Sequence, residues 1–461
     1  MSPAEYPVTA GLGALVASSA EKGIAEPVRQ RARIAFLDTV GVMLAGAGEP
    51  VVRRLGEVLH DGREPGHRDS LSSACLYGTA AHALDFDDVA FGGHPSAVIV
   101  PAVLIASEGL DCTGDDLLRA YVAGFECWAE IASREKTLYH VRGHHPTGVL
   151  GTVAAAGACS ALYGHDAATA ATALAIAASQ SAGLTINFGT MTKPFHAGRA
   201  AQAGLLAARL AANGFTAAGN VFEAQNGFIR SFSPNGEVDT VRPLHYDLAA
   251  DWFLAGRSPN LKRYPVCYAA HRNIDAALQL HEAVKDRIGD VRRITASVSR
   301  RHADTLRYRR PATVAEARFS VEFTVAAALA RGWVGFSEMR ESVVQDRIVR
   351  DLIEKVERHI NTDSDPVLDG FAIADRVVVE FDDGTSLSSD PVRRAKGHED
   401  NPIGIRDVRQ KFLDCLAVAD RNDVAEELFG LLSTLGKDTD LTRLKRLILL
   451  DGKTAGRRER P

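Results

Sequence analysis

Two stretches near the middle of the chain, 149–163 and 167–184, are rich in alanine and apolar nearly all round a helical wheel. A helix without a polar face does not lie on a solvated surface. It belongs in the centre of a helical core or against another subunit. The stretch Leu150–Leu162 is too short to span a bilayer, which takes about 20 residues. The middle of the chain is therefore committed to a helical bundle. The flanking pattern agrees. Pro27 sits just inside a helix start, and VRQRARIAFLDTVGVMLAG follows with apolar residues at helical spacing. Thr113-Gly-Asp-Asp116 has the form of a cap before LLRAYVAGFECWAEIA. Thr216 is expected to cap a further helix after the break at Gly214-Phe215.

The pattern changes after about His271. VRRITASVSR, 291–300, alternates as a strand does, and RVVVEF, 376–381, runs into the turn signal Asp382-Asp383-Gly384 with Thr385–Leu387 as its return strand. Helical patterns at 315–331 and 337–353 lie between. Strands interleaved with helices make a small α+β unit. KGHEDNPIG marks a loop, Val408–Ala417 and Arg421–Leu435 return to helical spacing, and the tail GKTAGRRERP is expected to fray. At 461 residues the chain is too long for one ordinary core, so two domains are expected.

The totals remove several function classes. Net charge is -5, so no global basic face draws nucleic acid. The six cysteines show no CxxC spacing, which fits a reducing cytoplasm rather than a zinc knuckle or a disulfide scaffold. No basic segment precedes an apolar run at the N-terminus, and no stretch reads as a membrane span. GxGxxG, Walker, HExxH and GxSxG patterns are absent.

What remains is a set of imidazoles, cations and acids at five places. HALDFDDVAFGGHP, from His82 to Pro95, puts Asp85, Asp87, Asp88 and two histidines, His82 and His94, between apolar segments. Charge in such a place costs energy unless it is paired or used. The plain alternative is a capped helix start with solvated acids. Arg142-Gly-His-His-Pro-Thr-Gly148 places imidazole at a helix N-terminus, where anions are favoured. Lys193, in GTMTKPFHAG, is a candidate carboxylate anchor or proton carrier. KRYPVCYAAH carries Lys262, Tyr264, Cys267 and His271 at the expected domain junction, a favoured place for pockets. Arg307 opens a basic turn before Pro311 that reads equally as exposed surface. Cations with imidazole acid–base groups suit a small polycarboxylate, because they neutralise its carboxylates and ease charge build-up on the neighbouring carbon.

These segments, in this order, resemble the MmgE/PrpD family of 2-methylcitrate dehydratases, cis-aconitate decarboxylases and iminodisuccinate epimerases. The resemblance runs from LDTVGVMLAG through HALDFDD, HPSAVIVPAVL, GHHPTG, GTMTKPFHAGRAA, KRYPVCYAAH and EARFSVEF to KGHEDNPIG and KF. It implies a mainly α fold: a large all-helical domain over 1–265 and 400–461 and a smaller α+β lid over 266–399. It implies a homodimer that needs no metal or organic cofactor. It assigns Asp85, His94, His145 and Lys193 to catalysis, the histidines moving protons, and Lys262 to holding carboxylate. Tyr264, Cys267, His271 and Arg307 complete the expected substrate contacts. Two positions depart from the family. Val89 follows the acids where many members carry threonine, and Cys267 stands where the decarboxylases share a histidine.

The expected function is thus a cofactor-independent lyase that removes a proton α to a carboxylate, with 2-methylcitrate-like loss of water leading. Epimerisation and decarboxylation share parts of that chemistry. A non-catalytic acid-binding protein and a metal-dependent lyase using His94, His145 and Asp85 are the rivals. Asp85 is expected to fix the tautomer of one histidine.

Overall fold

The computed structural model describes residues 5–19, 23–60, 69–249, 251–366 and 371–450. It is mainly helical, with one small four-stranded sheet. The chain divides into a first unit of Met1–Asn187, Thr192–Pro259 and Ile405–Pro461 and a second of Phe188–Met191 and Asn260–Gly404. The strands of the sheet all lie in the second unit.

The first unit opens with α1 (Val8–Ser18), α2 (Glu26–Gly46), α3 (Pro50–His60), α4 (Ser70–His82), α5 (Ser96–Ala106), α6 (Gly114–Ser133), α7 (Pro146–Leu162), α8 (Ala167–Ala178) and α9 (Thr192–Ala212). Pro27 lies in the first turn of α2, where a missing N–H costs nothing. Thr113 and Asp116 close a reciprocal capping box on α6. Every residue of α5 is buried, and so is α7 from Pro146 to Ser160, as apolar all-round helices require. The second alanine-rich stretch stops at Ala178 instead of 184. Thr216 caps no helix, because 213–227 runs as turns and irregular chain.

One close approach sets the site. A Cβ on Gly198 of α9 would fall 2.1 Å from the Cys75 carbonyl of α4, and one on Gly78 2.9 Å from the Gly198 Cα. Glycine at both places lets these helices touch backbone to backbone. Arg209, near the end of α9, reaches Ser70 at the start of α4 at 2.6 Å, so the two run antiparallel. The last turn of α4, with His82, therefore lies beside the first turn of α9, with Lys193 and His196.

In the second unit α10 (His271–Val284) and α11 (Val321–Arg331) pack on a sheet of β1 (Val291–Val298), β2 (Val356–Ile360), β3 (Val377–Phe381) and β4 (Ser386–Ser388). Strand order is β2-β1-β3-β4, parallel between β1 and β2 and antiparallel elsewhere. Ile294 pairs with Val356 on one side and Val379 on the other. Gly384, at φ 82°, turns the β3–β4 hairpin where the sequence places it. The two expected helices at 315–331 and 337–353 are each broken in two, at N-caps Ser320 and Asp346.

The chain then returns to the first unit as α12 (Ile405–Val418), followed by a helix at Ala425–Ser433. The tail 451–461 lies outside the described residues. Among those described, no single helix is long and apolar enough to cross a membrane. All six cysteines are free thiols.

Candidate active site

Beyond α4 the chain turns sharply through Asp85 at φ 52° and Phe91 at φ 49°. Non-glycine residues enter this region rarely, and surrounding contacts must hold them there. The loop between carries three buried carboxylates, Asp85, Asp87 and Asp88. Each resolves the cost of burial differently.

Asp87 accepts from His82 Nδ1 at 2.9 Å and from His94 Nδ1 at 3.0 Å. Burial pushes its carboxyl up, but the two imidazoles beside it outweigh that and hold it well below the usual range. Asp88 is shifted the opposite way. Burial pushes it up to about 8 against the opposing Ser96 hydroxyl. Ser96 bonds it through its amide and its hydroxyl at the start of α5, and that hydroxyl lies 2.8 Å from the Tyr121 phenol. Asp85 pairs with the Lys193 ammonium at 3.0 Å, with both side chains almost fully buried.

The imidazoles follow from these acceptors. His94 Nδ1 faces the Asp88 carbonyl at 2.8 Å as well as the Asp87 carboxylate. A carbonyl only accepts, so Nδ1 carries the proton. In the neutral ring Nε2 is then the unprotonated nitrogen, and it lies 3.9 Å from Asp85. His82 is pushed down to about 3 by burial, so it is neutral and donates from Nδ1 to Asp87. Its Nε2 is buried without a hydrogen-bond partner among the described residues. The His82 ring lies 4.5 Å from that of His94 and stacks 5.6 Å from that of His145. His145 stands at the N-cap of α7, with its amide on the Gly183 carbonyl at 3.0 Å. Burial holds it well below the usual imidazole range, and the nearby His82 and Lys193 add to that.

A clamp from the end of the chain supports the loop. Lys411 of α12 donates to the Phe86 carbonyl at 2.8 Å, pairs with Asp38 of α2 at 2.6 Å, and lies over the Phe86 ring.

The structure thus gathers Asp85, His94, His145 and Lys193 in one place, and adds His82, Asp87, His196 and Lys411. Asp85 is not the acid that orients an imidazole through Nδ1. Asp87 is, because it meets His94 Nδ1 at 3.0 Å, whereas Asp85 pairs with Lys193 and lies on the Nε2 side of His94. Spacing alone did not separate the two acids, although His82 lies five residues before Asp87, close enough for a ring at a helix end to reach back to it.

The other five expected residues lie in the second unit. Lys262 is fully buried and Arg307 partly so. Tyr264 gives its hydroxyl to Asp275 at 2.6 Å and packs against His271 and Trp333. His271 begins α10, with Nε2 3.3 Å from the Val266 carbonyl. Cys267 is half-buried, and its amide bonds the Arg318 carbonyl.

His82, Asp85, Asp87 and His94 each offer a ligand atom within 4.8 Å of the others. These donors already balance one another. Lys193 supplies positive charge to Asp85, and two Nδ1–H groups satisfy Asp87.

Residues 11–240 match the MmgE/PrpD N-terminal domain and residues 264–431 the MmgE/PrpD C-terminal domain. Cis-aconitate decarboxylase of Mus musculus is 26% identical to the chain over 92% of it and 90% of that protein. The Homo sapiens cis-aconitate decarboxylase is 27% identical over 82% of this chain and 79% of its own. Cis-aconitate decarboxylase-like protein oryM of Aspergillus oryzae is 26% identical over 97% and 98%.

Proposed function

The chain belongs to the MmgE/PrpD family, and on that premise we propose that it is a cofactor-independent lyase of a small di- or tricarboxylate, eliminating water as 2-methylcitrate dehydratases do. The observation that carries this reading is the fixed tautomer of His94. Two acceptors on Nδ1 place the proton of the neutral ring there and leave Nε2 as its basic nitrogen, held on the side of Asp85, whose other oxygen meets the Lys193 ammonium. His94 Nε2 takes the proton α to a substrate carboxylate, and Asp87 balances the imidazolium that forms. Lys193 lowers the energy of charge spreading into that carboxylate, and Asp85 holds the ammonium in place. His145, neutral in its buried position, gives a proton to the departing hydroxyl. The C–H and C–O bonds break, and water leaves.

Decarboxylation is the second reading, favoured by the names of the relatives. Here a carbon–carbon bond releases carbon dioxide, and an imidazole protonates the carbon left behind. Cys267 in place of the decarboxylases' histidine weighs against it.

The test is incubation with 2-methylcitrate, citrate, cis-aconitate and iminodisuccinate in D2O, with products read by NMR. Dehydration of methylcitrate is the expected result. Carbon dioxide from cis-aconitate establishes the second reading instead, and inversion of iminodisuccinate establishes an epimerase. Neither turnover nor C–H exchange with any of the four acids leaves a binding protein.

A further inference from the structure

His196 was not among the residues expected to act, yet it makes an unusual contact. Its Nδ1 lies 3.0 Å from Nδ1 of His145, the rings 5.2 Å apart and inclined by 57°. Two such nitrogens attract only when one proton lies between them. Two bare lone pairs repel, and two N–H groups clash. Burial holds His145 well below the usual imidazole range and pushes His196 down to about 4, with the Lys193 ammonium adding to both. Burial thus favours the neutral form of both rings, a condition under which they share a single proton.

The surroundings hold the pair in register. His196 lies one turn beyond Lys193 on α9, the helix that the glycine contact seats against α4. The Gly183 carbonyl fixes the His145 backbone. A Cβ on Gly183 would come within 3.3 Å of both the His145 Cβ and the His196 Nδ1, so the two rings fill that space. His145 is buried, whereas His196 is only partly so. One ring of the pair faces the acid cluster and the other reaches toward solvent.

We propose that His196 is a positioning residue that shares one Nδ1 proton with His145 and thereby sets which nitrogen of His145 donates. When His196 supplies the shared proton, His145 accepts at Nδ1 and carries its own proton on Nε2, ready to give. After Nε2 gives that proton away, the shared proton passes to His145 Nδ1, and Nε2 of His196 takes a proton from solvent. Both rings end neutral, and one solvent proton has replaced the one spent. The kinetic part of this inference rests on the lyase reading; the shared proton does not.

The experiment uses full-length protein labelled with [15N]histidine, compared with His196→Asn and His196→Ala. The wild type should show a low-field N–H signal from the pair that is lost in His196→Ala. Asparagine keeps a hydrogen-bonding group near the place of Nδ1 but takes up no solvent proton. His196→Asn should therefore lower kcat at least about tenfold with KM within about twofold, and added imidazole should restore part of the His196→Ala activity. An N–H spectrum unchanged in His196→Ala overturns the inference. So does a His196→Asn enzyme with wild-type kcat and pH profile. If the wild type converts none of the four acids, the lyase reading fails, and the spectra alone still decide whether the proton is shared.

Discussion

Replacing Asp87 by asparagine tests the core of the mechanism while changing little volume. The carboxylate is fully buried and takes two Nδ1–H bonds, at 2.9 Å from His82 and 3.0 Å from His94. Hydrogen bonds to a charged group contribute about 1.5–3 kcal/mol each. Asparagine retains one accepting oxygen and turns an NH2 group on the other imidazole. His94 cannot answer by moving its proton to Nε2, because Nδ1 would then face the Asp88 carbonyl without a hydrogen. The imidazolium that forms on proton abstraction also loses its counter-charge. A loss of about 3–5 kcal/mol at the transition state lowers kcat about 10²- to 10⁴-fold. Histidine–carboxylate pairs in hydrolases lose about 10⁴-fold on the same change. KM should stay within about threefold, since the cations are untouched. Steady-state kinetics and deuterium wash-in at the α-carbon measure both quantities, with circular dichroism to show that the fold persists. A folded Asp87→Asn enzyme with kcat within about fivefold of wild type refutes the assignment of Asp87 as the orienting acid.

Lys193→Ala should lower kcat at least about tenfold, the effect of about 1.4 kcal/mol; wild-type kinetics remove this lysine from the mechanism. Folded Asp88 keeps its proton to about pH 8, while the unfolded chain loses it near 3.8. The folded state thus binds the extra proton between those values, and this residue's stabilisation declines as pH rises across that window, by at most about 1.4 kcal/mol per pH unit. Melting temperatures of Asp88→Asn should fall less than wild type from pH 5 to pH 8, and parallel curves contradict the buried-acid assignment. Gly198→Ala forces α4 and α9 apart and should cost about 1–3 kcal/mol, read by denaturant unfolding; an unchanged midpoint would mean that the backbone contact is dispensable. Membership of the family leads us to expect a homodimer, and sedimentation showing only single-chain mass at micromolar concentration opposes it.

Local signals told most where they acted locally. Pro27, the Thr113–Asp116 box and the Asp382-Asp383-Gly384 turn mark elements whose ends are fixed by neighbouring residues. Strand β2, VERHI, carries no apolar alternation because it is an edge strand with only Val356 buried, and a parallel partner so far off in sequence leaves no turn to announce it. The caps at Ser320 and Asp346 stand in the sequence, but continuous helical spacing on both sides hides them. In the site, residue types and flanking apolar runs single out the segments, and the family resemblance picks Asp85, His94, His145 and Lys193 within them. They do not reveal which carboxylate meets which nitrogen. That follows from the turn at Asp85 and from helix contacts between residues more than a hundred positions apart, such as Cys75 with Gly198. His196 and Lys411 belong to the same kind: their partners are near in space and distant along the chain.

The Lys411 clamp ties the order of biosynthesis to competence. Asp38 and Phe86 emerge early from a ribosome, yet the ammonium that joins them comes from α12, after the whole second unit has been made. Until then the Asp38 carboxylate lacks its buried counter-ion and lies within electrostatic reach of Asp88. A nascent chain holding every residue assigned to proton transfer would therefore still lack a settled acid loop. Closure of the acid loop thus waits on a helix made after the second unit, although the residues it steadies are encoded more than three hundred positions earlier.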